Sequence, residues 1–341
     1  MDLGTRKRHN LLELHQAIGL GESYLTAKPP ELQLELTAKC NLSCRSCGRT
    51  HWGERRKPSE LDPLLLPFLP PFLRLARGLT LGGYGEPTLS PLLLEVLSLG
   101  HTYACTTTLI TNGTRLDRAF AADLAAVGLD RLVLSIDAVS DQLMHFLRGV
   151  PAATIWQGLE HARHIGCGLE VQTVAWAENL SELAELVDRA GKLGVEKVQV
   201  LLPKIYAQSL RASSPFLHRD RAEEAFAAAR ERAAVHDLDL RLPPLEQGSE
   251  LRCRQPFEVL VLRHDGMVHA CCSALFDGDR RALVAGSLRT TPLAELWNAE
   301  PLQRYRTAFH GRGPWPDVCL GCAFRLHTLE AYCRFLDQED H

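Results

Sequence analysis

The sequence predicts an α/β fold of parallel strands with helices outside them, followed by a smaller domain of different character. Two observations predict it. From Leu32 to Leu201, short apolar or alternating runs take turns with stretches of helical periodicity, and regular β–α alternation produces parallel strands. After Pro243-Pro244 that alternation stops, and two apolar runs flank an Asp-Gly, the pattern of a β-hairpin. The composition permits this: 341 residues, 45% hydrophobic and 23% charged, suit a globular enzyme of about two domains.

Residues 1–30 form a lead-in with an amphipathic helix near Leu11–Ile18, ended by Pro29-Pro30. Strands are expected at Leu32–Leu36, Gly78–Leu81, Tyr103–Ile110, Arg131–Ile136, Leu169–Ala175 and Lys197–Leu201. Helices are expected at Arg118–Val127 and Leu180–Lys192, with Asp117 and Asn179 as N-caps and Gly128 and Gly194 behind the C-termini. Leu64–Pro71 is apolar but broken by prolines, so only short helical pieces are expected there. A loop, Pro203–Pro215, precedes a long polar helix, Arg219–His236. Residues 31–245 then make the first domain. The second, 246–341, contains the hairpin Phe257–Leu262 and Met267–Cys271 and a short helix at Pro292–Trp297.

A net charge of -3 argues against a nucleic-acid-binding surface. Arg6-Lys7-Arg8 and Arg55-Arg56-Lys57 read as solvated surface. No apolar run reaches the ~20 residues of a membrane span, and Met1–Arg6 lacks the apolar core of a signal peptide. The chain is therefore expected in the cytoplasm, where its eleven cysteines point to metal chemistry rather than disulfides.

The most informative stretch is Cys40-Asn41-Leu42-Ser43-Cys44-Arg45-Ser46-Cys47, directly after the first strand. Cubane iron–sulfur clusters are usually held by four cysteines. Cys40, Cys44 and Cys47 on one short loop describe a cluster with one open iron, or else a zinc site completed from elsewhere. Gly83-Tyr84-Gly85-Glu86-Pro87 follows the second strand, where barrel active sites lie. Two glycines permit close backbone approach, and Glu86 suits an ammonium group. Asn112 closes the third strand, and Ser135 and Asp137, two apart, share a face at the end of the fourth. Arg148 suits a carboxylate or a surface ion pair. In the second domain Cys253, Cys271, Cys319 and Cys322 supply four thiols, for a closed cluster or a structural zinc.

In family order these motifs resemble the signature of the radical S-adenosylmethionine (SAM) superfamily. The second cysteine set is similar to the auxiliary-cluster domain of its SPASM/twitch branch. The resemblance spans roughly Glu31 to Cys322. It implies an open (β/α)6 partial TIM barrel with a small C-terminal iron–sulfur (twitch/SPASM-like) domain. It also implies two 4Fe–4S clusters, one at Cys40, Cys44 and Cys47 and one at Cys253, Cys271, Cys319 and Cys322. SAM would be held by Gly83, Gly85, Glu86 and Pro87, with Asn112, Ser135, Asp137 and Arg148 contributing. A one-electron reductant such as flavodoxin or ferredoxin would drive cleavage of SAM to a 5′-deoxyadenosyl radical that takes a hydrogen atom from substrate. One position departs from the pattern: Ser46 stands where an aromatic residue usually contacts the adenine, so that contact passes to His51 or Trp52.

Only Cys333 follows Cys322, at the wrong spacing for a further cluster, so one auxiliary cluster is expected. Cys105 and Cys167 read as core. Cys271 is the expected ligand and Cys272, turned away by strand alternation, the candidate hydrogen-atom donor for an epimerase. The lead-in is too short for the winged-helix peptide-recognition domain of many peptide-modifying relatives. The expected function is therefore oxidation of a small molecule, an aminocyclitol or sugar. The alternatives are a peptide maturase or epimerase, and a non-catalytic iron–sulfur or zinc module.

Overall fold

The computed structural model describes residues 2–51, 59–246, 248–250, 253–272, 284–323 and 325–333. Among them the strands are β1 (Glu31–Leu34), β2 (Gly78–Leu81), β3 (Thr106–Thr111), β4 (Arg131–Ser135), β5 (Gly168–Val174), β6 (Lys197–Leu201), β7 (Asp239–Arg241), β8 (Ser249–Glu250), β9 (Val259–Leu262), β10 (Met267–His269), β11 (Val284–Ser287) and β12 (Leu326–His327). Before Pro243 the longer helices are α1 (Leu3–Leu20), α4 (Leu93–Thr102), α5 (Arg118–Ala126), α6 (Asp141–Arg148), α7 (Ala152–Ala162), α8 (Leu183–Lys192) and α9 (Arg219–Val235). The short α2 (Gly48–His51) and α3 (Pro70–Leu73) come before α4. Contacts divide the chain into two compact units. One is Met1–Lys39, Lys57–Leu109 and Leu251–Arg325; the other is Cys40–Arg56, Ile110–Glu250 and Leu326–His341.

In the first unit the strand order is β11-β10-β9-β1-β2-β3. The alternation of β1 is explained by its neighbours on both sides. Leu32 stands between Leu79 and Leu260, and Leu34 between Leu81 and Leu262, in parallel register. All six side chains are fully buried, each worth roughly 1.5–3 kcal/mol of apolar transfer. The β9–β10 hairpin forms around Asp265-Gly266, with Val268 opposite Leu262. Sequence alone does not show that β9 pairs in parallel with β1, which puts the hairpin of the second domain beside the first barrel strand. Phe257 lies in a short helix, Gln255–Glu258, rather than in the strand.

In the second unit the order is β4-β5-β6-β7, all parallel. Leu134, Val171 and Val198 are buried at 0% exposure within it. On α8 the buried positions Leu183, Leu186, Val187 and Ala190 mark one face at helical spacing. Strand β7, just before Pro243-Pro244, was not among the expected strands, although Asp237–Leu242 alternates polar and apolar residues.

Several boundaries differ from the sequence expectation for local reasons. Helix α1 is longer than its apolar pattern and ends at Gly21, whose φ of 75° and N–H bonds to Ala17 and Ile18 carbonyls stop it well before Pro29. Tyr103 is the C-cap of α4, and β3 starts only at Thr106. Asp117 caps α5 as expected, accepting from Phe120 N–H. Asn179 caps nothing: its Oδ1 accepts from Trp176 N–H, and its Nδ2 donates to the Asp137 and Val174 carbonyls. Leu64–Pro71 does break into short pieces, a 3₁₀ turn at Pro63–Phe68 and then α3.

The first unit also joins the two ends of its sequence through Arg306, on the helix Glu300–Phe309 and fully buried. Its guanidinium donates to the carbonyls of Pro256 (3.0 Å), Ser23 (3.1 Å) and Trp297 (2.9 Å) and to Asn298 Oδ1 (3.1 Å). Arg306→Met should fill the space yet strand four acceptors, lowering stability by about 3 kcal/mol. Arg306→Lys should recover only part of it. The midpoint of urea unfolding measures both.

Candidate active site

The cluster loop lies in the second unit and is fixed by backbone bonds rather than by regular structure. Arg45 N–H donates to the Leu147 carbonyl (2.8 Å) and Cys47 N–H to the Cys44 carbonyl (3.1 Å). Helix α2 starts one residue after Cys47. Asn112 Nδ2 donates to Asn41 Oδ1 at 2.9 Å and stands 4.0 Å from Cys40 Sγ, while its Oδ1 accepts from Thr114 N–H and Oγ1. Asn112 thus orients the first cysteine. The His51 ring nitrogen Nε2 meets the Arg45 carbonyl at 2.9 Å, and its ring stacks on Tyr206. Trp52 and Arg55-Arg56-Lys57 lie outside the described residues.

Arg148 and Asp137 form a buried pair, Nε to Oδ2 at 2.6 Å. Asp137 also accepts from Val174 N–H (2.8 Å), so strand ends β4 and β5 and helix α6 are tied at one carboxylate. Arg148 is therefore not a surface ion pair. Burial pushes the Cys44 thiol up to about 11; the nearby Arg148 cation opposes this, and Cys47, Asp137 and Cys40 add to it. Burial also raises Cys47. Ser135, the last residue of β4, is half-buried. Two desolvated thiols, Cys44 and Cys47, with Cys40 in the same electrostatic neighbourhood and a fixed cation beside them, fit a group that binds thiolates.

In the first unit, the segment Gly83–Pro87 follows β2. A Cβ on Gly85 would lie 1.9 Å from the Thr37 carbonyl oxygen, and one on Gly83 would lie 2.7 Å from Glu35 Cγ. The room that both glycines provide is occupied by the chain leaving β1. Glu86 N–H donates to the Lys39 carbonyl (2.7 Å). The Glu86 carboxylate, 3% exposed, accepts from Thr88 N–H and Oγ1. Pro87 is buried and starts a 3₁₀ turn.

The second cysteine set gathers in the first unit. Burial pushes Cys271 well above the usual thiol range, and Cys272, Cys322, Cys253 and Cys319 add to the shift in that order. Cys319 is pushed up to about 12 by burial, with Tyr305 on Glu300–Phe309 opposing. Arg325 donates to the Cys319 carbonyl at 2.8 Å and stacks over Trp315. Four coupled, desolvated thiols fit a closed cluster. Among the described residues no three His, Cys, Asp or Glu side chains surround a position for a single metal ion. One expectation changes. Strand β10 ends at His269, so Cys271 and Cys272 follow the strand rather than alternate within it. Cys105 is core as expected, 4% exposed, with its thiol against the Leu73 and Ala76 carbonyls.

Residues 34–190 match the radical SAM superfamily. Residues 253–323 match the iron–sulfur cluster-binding domain called SPASM. The chain belongs to the radical SAM superfamily, in its SPASM branch. A tungsten-containing aldehyde ferredoxin oxidoreductase cofactor-modifying protein of Pyrococcus furiosus is 27% identical, over 86% of this chain and 87% of its own. A PqqA peptide cyclase of Gluconobacter oxydans is 26% identical, over 87% of this chain and 84% of its own. The crystal structure of Streptococcus suis SuiB bound to S-adenosylmethionine superposes with a TM-score of 0.67 at 17% identity, covering 96% of this chain and 76% of that one. The fold of this radical SAM protein is accordingly the partial, open α/β barrel with a C-terminal SPASM domain. A 4Fe–4S cluster and SAM belong to the first, and auxiliary iron–sulfur chemistry to the second. Among the described residues no helix is long and apolar enough to cross a membrane.

Sequence reading missed Glu35, Tyr206, Tyr305 and Arg306, because each acts through partners distant in the chain. In the Gly-Tyr-Gly motif, Gly85 admits the backbone of Thr37 and Lys39, and Gly83 admits the Glu35 side chain. Gly85→Ala should therefore cost about 3 kcal/mol or more through overpacking. Gly149→Ala, with φ 76° and nothing within 4 Å of the added atom, should cost only about 1 kcal/mol. Unfolding of the metal-free chain in urea separates the two.

Proposed function

We propose that this radical SAM enzyme takes a hydrogen atom from a peptide substrate and oxidises it, closing a cross-link. The observation that carries the substrate class is the similarity to the PqqA peptide cyclase over most of both chains. Cys40, Cys44 and Cys47 hold the SAM cluster in this reading, and Cys253, Cys271, Cys319 and Cys322 hold the auxiliary one. When bound, these groups supply reductive cleavage of SAM, with an electron from a flavodoxin- or ferredoxin-like donor, and accept the substrate's second electron as its proton passes to solvent. The chain's own residues position and exclude water. Glu86, fixed by Thr88, offers a buried carboxylate to the SAM ammonium, beside Gly83, Gly85 and Pro87. Arg148, oriented by Asp137, presents a cation to the SAM carboxylate next to Cys44, and Asn112 and Ser135 contribute in this reading. A small-molecule substrate, such as an aminocyclitol or sugar, is the second reading; the similarity to a cofactor-modifying protein favours it.

Substrate class is tested by coexpression with the short peptides encoded beside this chain, followed by mass spectrometry. Loss of two hydrogens from one peptide supports the proposal. Unchanged peptides, with turnover of a small molecule by the purified enzyme, would reject it. Anaerobically reconstituted protein should hold about eight irons. Changing Cys40, Cys44 and Cys47 together to Ala should halve that count and abolish SAM cleavage. Cys105→Ala, Cys167→Ala and Cys333→Ala should leave iron unchanged.

Oxidation and epimerisation differ in the origin of the hydrogen on the reacting carbon. With the substrate in deuterated water, no solvent deuterium should enter that carbon, and Cys272→Ser should still turn over. Deuterium incorporation that Cys272→Ser abolishes would identify an epimerase with Cys272 as donor.

A further inference from the structure

Glu35 is an acidic side chain at 1% exposure, placed just after β1 on what the alternating Leu32–Leu36 pattern makes the polar side. Its Oε1 accepts from Tyr84 N–H at 2.9 Å, inside the Gly83–Pro87 segment. Its Oε2 lies 2.5 Å from His264 Nδ1, and Arg263 Nε is 4.0 Å away. His264 is 4% exposed and opens the turn between β9 and β10, the hairpin that runs on to Cys271. Gly83 has no Cβ, and an added one would meet Glu35 Cβ and Cγ below 3 Å. The carboxylate is thus pressed against the segment and bonded into it.

A buried carboxylate needs charge-assisted partners on both oxygens. Here one oxygen is assigned to the segment's backbone and the other to the SPASM-domain hairpin. From this geometry we infer that Glu35 and His264 are positioning residues for SAM binding. His264 fixes the Glu35 carboxylate, and Glu35 fixes Tyr84 N–H and hence the path of the backbone between Gly83 and Glu86. The inference rests on the reading that Gly83–Pro87 holds SAM. It adds that the hairpin leading to the auxiliary site supports that segment. Neither residue touches the cofactor in this role.

Two readouts test it on the full chain. Hydrogen exchange of the peptide containing Tyr84, measured on the protein before and after cluster loading, reports the clamp itself. Equilibrium dialysis of SAM on the loaded protein reports its consequence. His264→Ala should speed exchange at Tyr84 and raise the SAM Kd about tenfold, the effect of losing one buried charge-assisted hydrogen bond. Iron content and kcat at saturating SAM should stay unchanged. His264→Asn, which places an amide N–H where Nδ1 stands, should restore both readouts. Where His264→Ala does not fold, His264→Phe fills the volume without the donor and gives the same test. Unchanged exchange and unchanged Kd would overturn the inference. Glu86→Ala separates the two readings. If it weakens SAM while His264→Ala does not, the segment binds SAM and the positioning role is wrong. If Glu86→Ala leaves SAM binding intact while exchange at Tyr84 still rises in His264→Ala, the clamp is structural only and both readings about SAM fall.

Discussion

The pairing of β1 on both edges is the constraint on which the rest depends. A four-residue strand has little stability alone. β1 is held by β2 on one side and β9 on the other, and the ladder continues beyond its end. Glu35 N–H donates to the Leu262 carbonyl, Gly82 N–H to Leu34, Leu61 N–H to Leu36 and Ala38 N–H to Ser59. The chain is therefore fixed to within two residues of Cys40. A cluster loop with no regular structure of its own needs such an anchored start, because each free residue would add about 1–2 kcal/mol of ordering cost to ligand assembly.

Desolvation sets the chemistry of both cysteine sets. Burial raises Cys44, Cys47, Cys253, Cys271 and Cys319. At neutral pH, then, the metal-free thiols are protonated. Loading iron must displace those protons, which links affinity to pH and stability to metal. The cations nearby serve this exchange rather than stability in their own right. A buried pair such as Asp137–Arg148 gives little net stability, because two desolvation costs offset the attraction. Its value lies in holding a guanidinium beside Cys44 at a fixed orientation.

The parts legible in the sequence were those with local signals. All six barrel strands fell within a few residues of their apolar runs. The cysteine spacings drew attention to both sets, and Asp117 capped as its position suggested. The parts that were not legible depend on contacts distant in the chain. Nothing local to Val259–Leu262 says that it will lie beside Glu31–Leu34. Glu35 looks like the polar side of an alternating strand until His264 and Tyr84 are placed against it. Asn179 looks like a helix cap, but tertiary bonds to the ends of β4 and β5 claim its side chain instead. Strand alternation does not distinguish Cys271 from Cys272, because the strand stops at His269.

The first unit is built from the beginning, an early part and a late part of the sequence, Leu251–Arg325. The lead-in is bonded directly to the late helices: Leu25 N–H to Asn298 Oδ1, Trp297 Nε1 to the Ala27 carbonyl, and Arg306 to Ser23. Contacts of such separation form late, because loop closure precedes their reward. During synthesis one edge of β1 stays unpaired until Val259–Leu262 has emerged, and an unpaired edge is a site for wrong association. The hairpin that closes this edge also carries His264 to Glu35 and leads on to Cys271. One hairpin thus pairs with the first strand, reaches the carboxylate bonded to Tyr84 N–H and runs on to the auxiliary thiols. The Glu35 carboxylate and the His264 imidazole, both buried at this strand junction, thereby link the segment after β2 to a hairpin that lies far later in the sequence.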